Sequence, residues 1–337
     1  MAAIDIFNDA AFSTFELSDK VSKMPYVPGR IGEMGIFSMD GIRTTDLAVE
    51  EHNGVLSLIP YSERNGPDNI VASAKRRILK FSCGHFPLRR VIRPDEIQNI
   101  RAFGEEDELE SAESVVADKM AEMVPYHDAT LEYQMLGALK GYLVDADGST
   151  VIEDLYARFN ITQKTTAFAL GTDTTKVRQK CMATLRLIED GLGGATYTGV
   201  RAICGAGFFD KLISHPDVQE AYERWQENGQ QGAFLRSDPR YKGFEFGGIH
   251  WEEYRGKVNS ISFMADQECQ IFPVGVPDMY VVRFAPANMM EFANTKGLPR
   301  YASMERLPHG RGMDVLTESD PISLNKRPEA VVKGTTN

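Results

Sequence analysis

Cysteine is scarce in this 337-residue chain, and the four cysteines make no paired motif. Cys83, Cys181, Cys204 and Cys269 lie far apart, so no CxxC spacing is available for zinc binding or for redox chemistry. We predict that they are small buried apolar residues of a protein that folds in a reducing compartment. Neither a disulfide framework nor a metal centre is expected from them.

Long apolar runs are also missing. No stretch approaches the ~20 apolar residues that a membrane helix needs, and we expect no membrane partner. The N-terminal segment Met1–Leu17 has no basic region followed by an apolar run, which argues against a secretory leader. The sequence therefore predicts folding in the cytosol.

An excess of positive charge is absent, because the formal net charge is -11. Proteins that bind nucleic acid directly draw their affinity from clustered lysine and arginine, so tight binding to a phosphate backbone is not expected. A protein that encloses DNA without sequence-specific binding remains compatible with this charge. An acidic wall would repel DNA and let it slide.

Motifs that carry chemistry are absent as well. The glycine-rich segment Gly191–Gly194 follows a predicted helix and precedes a strand, which is the reverse of the order in a dinucleotide-binding loop. Asp145–Gly148 lacks the ligand spacing of a calcium loop. The six histidines show no HxxxH spacing, and no GxSxG motif occurs. We therefore predict no catalytic, cofactor-binding or metal site, no cofactor, and a protein that is not an enzyme.

The N-terminal quarter of the chain predicts an arm followed by a long hairpin. Residues 1–40 contain clustered proline and glycine and are expected to fold poorly alone. Strands are predicted at 44–51 and 55–61 around the tight-turn signal Asn53–Gly54, and again at 75–82. The result is a two-stranded excursion with a soft tip. Because an isolated hairpin is marginal in water, it should need a partner surface.

The rest of the chain predicts a long helix and then mixed α and β structure. Apolar residues at spacings of three and four predict a helix over Ser111–Lys140, ~45 Å long, with a kink at Pro125. A hairpin over 141–158 follows, turning at Asp147–Gly148. After it come a helix capped by Asp173 and stopped by Gly191, strands at 199–204, 243–254, 268–272 and 279–284, two short helices, and an extended tail from 313. The predicted class is α+β.

Charge is distributed in two adjacent blocks of opposite sign. Residues 73–93 contain seven basic and no acidic residues, whereas residues 95–122 are strongly acidic. Such blocks are either solvated surface or a docking pair between neighbouring copies of the chain, and both interpretations stay open. The candidate subunit-interface residues are Lys75, Arg76, Arg77, Lys80, Arg89, Arg90, Glu105, Glu106, Asp107 and Glu108.

Six segments, taken in their order along the chain, resemble the major capsid proteins of tailed bacteriophages, specifically the lambda-type coat protein E family. Together they run through about residues 40–310. The segments are Leu88–Ala102, His127–Gly148, Tyr197–Phe209, Ala233–Gly248, Phe272–Val276 and Thr295–Tyr301.

The resemblance implies the Hong Kong 97-type capsid fold. Its parts would be an N-terminal arm (1–40), an extended loop called the E-loop with its flanking strands (41–93), a peripheral domain with the spine helix and a hairpin (94–171), an axial domain (172–284), and a return to the peripheral domain with the tail (285–337). The implied function is a major capsid protein whose hexamers and pentamers tile an icosahedral head around double-stranded DNA. It would reside in the virion, after assembly in the host cytoplasm.

The resemblance also implies partners. The chain begins at the arm without a long helical prodomain, so we expect a separate scaffolding protein and a portal. A decoration protein is a further candidate partner. Two alternatives stay open. One is an encapsulin-like shell of a bacterial compartment. The other is a cytosolic α/β enzyme formed by residues 172–284, which would need a concave polar pocket with strongly shifted titrating groups.

Overall fold

The computed structural model describes residues 10–25, 29–52, 76–98, 108–227, 243–258 and 261–337. Short 3-10 turns occur at Ala10–Phe12, Met290–Phe292, Pro308–Gly310 and Pro328–Ala330. No helix in these ranges is both long and apolar enough to span a membrane. The helices are α1 (Thr14–Lys23), α2 (Arg30–Glu33), α3 (Pro94–Gln98), α4 (Glu108–Lys140), α5 (Leu155–Phe159), α6 (Val177–Leu192), α7 (Ala206–Ser214) and α8 (Pro216–Glu227).

Eighteen strands are present in the described ranges. They are β1 (Ser38–Gly41), β2 (Asp46–His52), β3 (Arg76–Ser82), β4 (Phe86–Ile92), β5 (Tyr142–Val144), β6 (Val151–Asp154), β7 (Lys164–Ala167), β8 (Gly199–Cys204), β9 (Gly243–Phe246), β10 (Ile249–Glu253), β11 (Lys257–Val258), β12 (Ile261–Ser262), β13 (Glu268–Val274), β14 (Tyr280–Phe284), β15 (Tyr301–Arg306), β16 (Met313–Ser319), β17 (Pro321–Asn325) and β18 (Val332–Thr335).

Three sheets organise these strands. The largest has the order β7-β18-β13-β8-β10-β9, and two three-stranded sheets have the orders β15-β16-β4 and β1-β14-β17. Two-stranded ribbons are formed by β2-β3, β5-β6 and β11-β12. The C-terminal tail contributes one strand to each of the three sheets, namely β16, β17 and β18. The tail from Met313 therefore connects parts of the fold that the earlier chain builds separately.

The long helix α4 is the spine of the molecule and joins two apolar cores. Its first half buries Val116, Met120 and Met123 in a smaller core with β4, β15, β16 and α1. Its second half buries Leu136 and Leu139 in the main core with the six-stranded sheet. The predicted helix is confirmed, and it continues through the exposed Pro125 that separates the two halves.

The arm contains the helix α1, which we did not predict. Ser13 caps α1 by accepting a hydrogen bond from the Glu16 backbone N–H at 3.4 Å. Leu17 and Val21, four residues apart, bury one face of α1 against the spine. The clustered prolines and glycines begin only after this helix has ended.

The hairpin excursion has an ordered base. Strand β2 pairs antiparallel with β3, from Asp46 opposite Ser82 to His52 opposite Arg76, which confirms the predicted strand at 75–82. The predicted strand at 55–61 and its Asn53–Gly54 turn lie outside the described residues. Phe81 is fully buried against Phe159, with ring centroids 5.9 Å apart. The base of the hairpin therefore packs on the body of its own chain.

Two local predictions are corrected by glycine geometry. Helix α6 spans Val177–Leu192, so it begins after Asp173 and continues past Gly191. Its C-cap is Gly193, whose φ of 59° is left-handed. Gly191 lies inside α6 and so close to the tail that a Cβ there would be 2.5 Å from the Glu329 carbonyl oxygen, which favours glycine at this position. The strand predicted at 243–254 is the hairpin β9-β10, which turns at two glycines with φ of 63° and 79°.

The predicted hairpin at 141–158 is confirmed as the pair β5-β6, except that its last residues form α5. Gly148 has a φ of 74° in the turn. The Asp147 carboxylate accepts hydrogen bonds from the backbone N–H groups of Ser149 and Thr150, each at 2.8 Å. The Thr150 hydroxyl donates to the same carboxylate at 2.6 Å, and this bond together with the two backbone bonds holds the pKa of Asp147 far below its usual range. The carboxylate of Asp147 in the Asp145–Gly148 segment therefore stabilises the hairpin turn.

The boundaries between the expected domains stay predictions. The expected axial domain, 172–284, supplies β8, β9, β10 and β13 of the six-stranded sheet. Strands β7 and β18 of the same sheet come from outside that range, and β14 from inside it pairs with β1 and β17. The six-stranded sheet and the expected axial domain therefore do not have the same boundaries in the sequence.

We predict that Leu136→Ala destabilises the subunit by about 2–5 kcal/mol, because it leaves a cavity beneath the spine where Leu136 is 1% exposed. Denaturant unfolding followed by circular dichroism measures the effect. The control is Met182→Ala, on α6, where the side chain is 46% exposed and truncation should have little effect. Equal midpoints for the two variants would contradict the placement of Leu136.

Candidate assembly surface

Strand β3 contains three of the candidate interface residues, Arg76, Arg77 and Lys80. Arg77 and Lys80 are both exposed, and neither forms an ion pair with any described residue. The Arg77 guanidinium donates to the Arg158 carbonyl oxygen at 3.4 Å, and the Arg158 guanidinium donates to the Lys80 carbonyl oxygen. The backbone of β3 is thus fixed to α5, while both positive charges face solvent.

An apolar side chain lies between these charges, and sequence reasoning missed it. Ile78 is 59% exposed and lies on the same face of β3 as Lys80, because side chains alternate along a strand. Val151 and Ile152 on β6 are also half exposed. The signal for Ile78 was its position between Arg77 and Lys80 in a strand whose alternate residues, Leu79 and Phe81, are buried.

The second pair of basic candidates is neutralised within the subunit. Arg89 on β4 forms an ion pair with Asp314 on β16, and Arg90 lies 3.8 Å from the Glu122 carboxylate on the spine. Lys119 on the spine reaches Glu96 at 3.0 Å, which holds the pKa of Glu96 below its usual value. The basic and acidic blocks therefore meet inside one chain at Arg90 and Glu122.

Three of the four acidic candidates lie outside the described residues. They are Glu105, Glu106 and Asp107, and the basic candidate Lys75 lies outside as well. Arg76 belongs to β3 and Glu108 opens the spine helix, but only their backbones are described. The structure therefore places the described basic candidates on two strands, β3 and β4. Their docking on the acidic residues of a neighbour stays a prediction.

A buried polar stretch lies on the spine between its two apolar halves. It comprises His127, Asp128, Glu132 and Gln134, each less than a tenth exposed. The Asp128 carboxylate forms an ion pair with Arg300, whose other terminal nitrogen donates to the Met24 carbonyl oxygen at 3.1 Å. Arg300 thereby joins the spine, the arm and the segment before β15.

His127 occupies the same stretch. Its Nε2 lies 2.9 Å from the Thr317 hydroxyl on β16. Burial, with a smaller effect from Arg300, lowers the pKa of His127 to about 4. The imidazole is neutral near pH 7, and its contact with Thr317 attaches the tail to the spine.

Glu132 holds the other end of the arm. Its carboxylate accepts hydrogen bonds from the backbone N–H groups of Ile31 at 2.6 Å and Gly32 at 3.1 Å. Burial raises the pKa of Glu132, and these two bonds oppose the rise. A Cβ at Gly29 would lie 2.4 Å from the Glu132 side chain, so only glycine fits there. Arg30 adds an ion pair with Glu252 on β10.

The cysteines offer no activated nucleophile. All four are free; Cys181, Cys204 and Cys269 are buried as predicted, and Cys83 is partly buried. Burial raises the pKa of Cys83 and of Cys181 to about 12. Because the thiolate is the reactive form, these thiols are inert near neutral pH.

The architecture defines a class of protein. A spine helix, a two-stranded excursion at its N-terminal side and sheets joined by the tail form the Hong Kong 97-type capsid fold. The structure is similar to one described as a capsid protein of a prophage of E. coli CFT073, with a TM-score of 0.63 and 12% identity, covering 96% of this chain and 99% of that one. It is also similar to the capsid of an empty GTA particle, with a TM-score of 0.52 and 8% identity, covering 92% and 91%.

The family follows from the sequence comparison. The model described as phage major capsid protein E matches residues 13–336, so the chain belongs to this family. A major capsid protein of Pseudomonas phage KPP10 is 29% identical over 96% of both chains. That of Salmonella phage Felix O1 is 27% identical over 95% of both. The protein is a phage major capsid protein that forms an icosahedral shell, and it is a component of the virion.

We predict that Asp128→Ala destabilises the subunit by about 3–5 kcal/mol, because it leaves the Arg300 guanidinium, 5% exposed, without the carboxylate that offsets its charge. The matched control is Asp19→Ala, which removes the exposed Lys23 ion pair on α1 and should cost less than about 1 kcal/mol. Thermal and denaturant unfolding measure both. Similar losses for the two variants would show that the buried pair does not hold the fold.

Proposed function

We propose that the chain assembles as hexamers and pentamers that tile the head of a tailed phage, with the β2-β3 excursion as a principal contact between neighbours. The observation that carries the proposal is the asymmetry of β3. One face is anchored on the subunit's own core through Leu79 and Phe81, while Ile78 and Lys80 face outward. Apolar area flanked by unpaired positive charge is suited to a polar-rimmed interface.

The proposed structural role of each part of the chain follows the expected domain boundaries. Residues 1–40 would form the arm, 41–93 the E-loop and its flanking strands, and 94–171 with 285–337 the peripheral domain. Residues 172–284 would form the axial domain at the centres of capsomers. Strands β8, β10 and β13, adjacent in one sheet, support this assignment of the axial domain.

The enclosed material would be double-stranded DNA, held without sequence-specific contacts. The net charge of -11 supports a wall that repels the phosphate backbone rather than binding it. A separate scaffolding protein, a portal and a decoration protein are the proposed partners, with assembly in the host cytoplasm. The chain would carry out no catalytic step and need no cofactor.

Expression of the full chain, alone and with its neighbouring genes, tests the proposal by negative-stain electron microscopy. We expect shells, tubes or free hexamers and pentamers. The contrary result is a chain that stays monomeric across a range of salt concentrations in both settings. Particles that enclose a co-expressed bacterial enzyme and no DNA would favour the compartment-shell alternative, whereas turnover of a small-molecule substrate by the monomer would favour the enzyme alternative.

We predict that Arg77→Glu combined with Lys80→Glu abolishes particles while leaving the subunit folded, since both side chains are exposed and unpaired among the described residues. Particle yield by sucrose-gradient sedimentation and the melting temperature are the two measurements. The control exchanges the same residues with conservation of charge, Arg77→Lys with Lys80→Arg, and should assemble. If the charge-reversed chain assembles as well as this control, β3 is only a solvated edge.

A further inference from the structure

Three side chains that can ligate a metal meet where the excursion returns to the body of the subunit. His85 lies between β3 and β4, Glu318 is in β16, and Asp320 lies between β16 and β17. Their nitrogen and carboxylate oxygen atoms all lie within 4.8 Å of one another. His85 Nδ1 is 2.8 Å from Asp320 Oδ1. More than 230 residues of chain separate the histidine from the two acids, so only the tertiary fold brings them together.

One of these groups is buried with unused hydrogen-bonding capacity. Glu318 is 3% exposed, and its Oε1 has no hydrogen-bond partner among the described residues. Asp320, 5% exposed, lies beside it. A buried carboxylate oxygen without a donor is costly, and such groups in native proteins normally have a hydrogen-bond or metal partner. A cation bound beside Glu318 would supply such a partner.

The electrostatics point the same way. Burial raises the pKa of Glu318, and the neighbouring Asp320 raises it further, while His85 and a hydrogen bond from the Asn288 backbone N–H oppose the rise. Burial likewise raises the pKa of Asp320 against the effect of His85. Two buried carboxylates that repel each other are stabilised by a cation between them. The half-exposed His85 side chain, at 52%, leaves a route by which an ion can enter.

We propose that His85, Glu318 and Asp320 form a binding site for one divalent cation of the zinc or manganese type. One imidazole and two carboxylates are a ligand set that suits these ions, whereas magnesium and calcium prefer oxygen ligands alone. Three protein ligands would leave a coordination position for solvent.

The cation would connect three parts of the fold. The segment holding His85 joins β3 of the excursion to β4, and the two acids stand at the transition between two of the three sheets. A backbone hydrogen bond from Gly84 to the Pro321 carbonyl oxygen, 3.0 Å long, already connects the same two segments. A bound ion would add to this link and stabilise the base of the excursion against the tail, since a ligand that binds only the folded state raises its stability.

The test uses the full chain, stripped with a chelator, dialysed, and titrated with zinc chloride or manganese chloride alone. Isothermal titration calorimetry and elemental analysis should give about one ion per chain, and the melting temperature should rise on binding. His85→Ala and Glu318→Gln should each weaken the affinity for the metal ion. The loss should exceed the ~10–100-fold that is typical of residues that only support a metal ligand. Neither variant should gain melting temperature on addition of the ion.

The matched control is His309→Asn, at an exposed histidine whose φ of 61° asparagine tolerates. It should bind like the unaltered chain. The far-ultraviolet circular dichroism of each stripped variant establishes that it is folded, and the exposed His85 makes His85→Ala the safer of the two. Absence of binding by the unaltered chain, or equal binding by His85→Ala and His309→Asn, would overturn the proposal. Because unassembled chains suffice, either result is independent of whether shells form.

Discussion

The fold depends on the spine helix α4 lying between two apolar cores that do not merge. Its first half packs with α1 and β16, and its second half packs under the six-stranded sheet. Between the halves, the buried ion pair of Asp128 with Arg300 and the hydrogen bonds of Glu132 replace apolar contact. Buried polar groups require specific partners, whereas apolar packing tolerates many. This stretch therefore sets the positions of the arm and the tail relative to the spine.

The same arrangement explains how a coat subunit can be stable and still extend parts of itself outward. The tail gives one strand to each of the three sheets, so the body of the subunit is cross-connected without help from neighbours. The excursion is anchored at its base by Phe81 and Phe159 and carries charge on its outer face. The buried contacts thus stabilise the subunit itself, and the exposed face of β3 remains available for association with neighbouring subunits.

The candidate surface was only partly predictable from the sequence. The sign and extent of the two charge blocks can be counted along the chain, but their pairing depends on distance in space. Arg89 meets Asp314, which is 225 residues away, and Arg90 meets Glu122 on the spine of the same chain. Runs of one charge predict a charged surface, and they do not tell which charges are neutralised internally. Arg77 and Lys80 form no ion pair among the described residues, whereas Arg89 and Arg90 are paired within the chain.

The sequence by itself determined the elements whose signals are local. Apolar spacing specified the spine helix, and Asp147–Gly148 specified the β5-β6 turn. The ordered segments of the chain carried the resemblance to phage coat proteins. Only the tertiary structure decided where α6 ends, because Gly191 is favoured by its close approach to the distant Glu329 backbone and does not stop the helix. It also decided the division of the tail among three sheets, since strand pairing depends on which edges the rest of the fold leaves open.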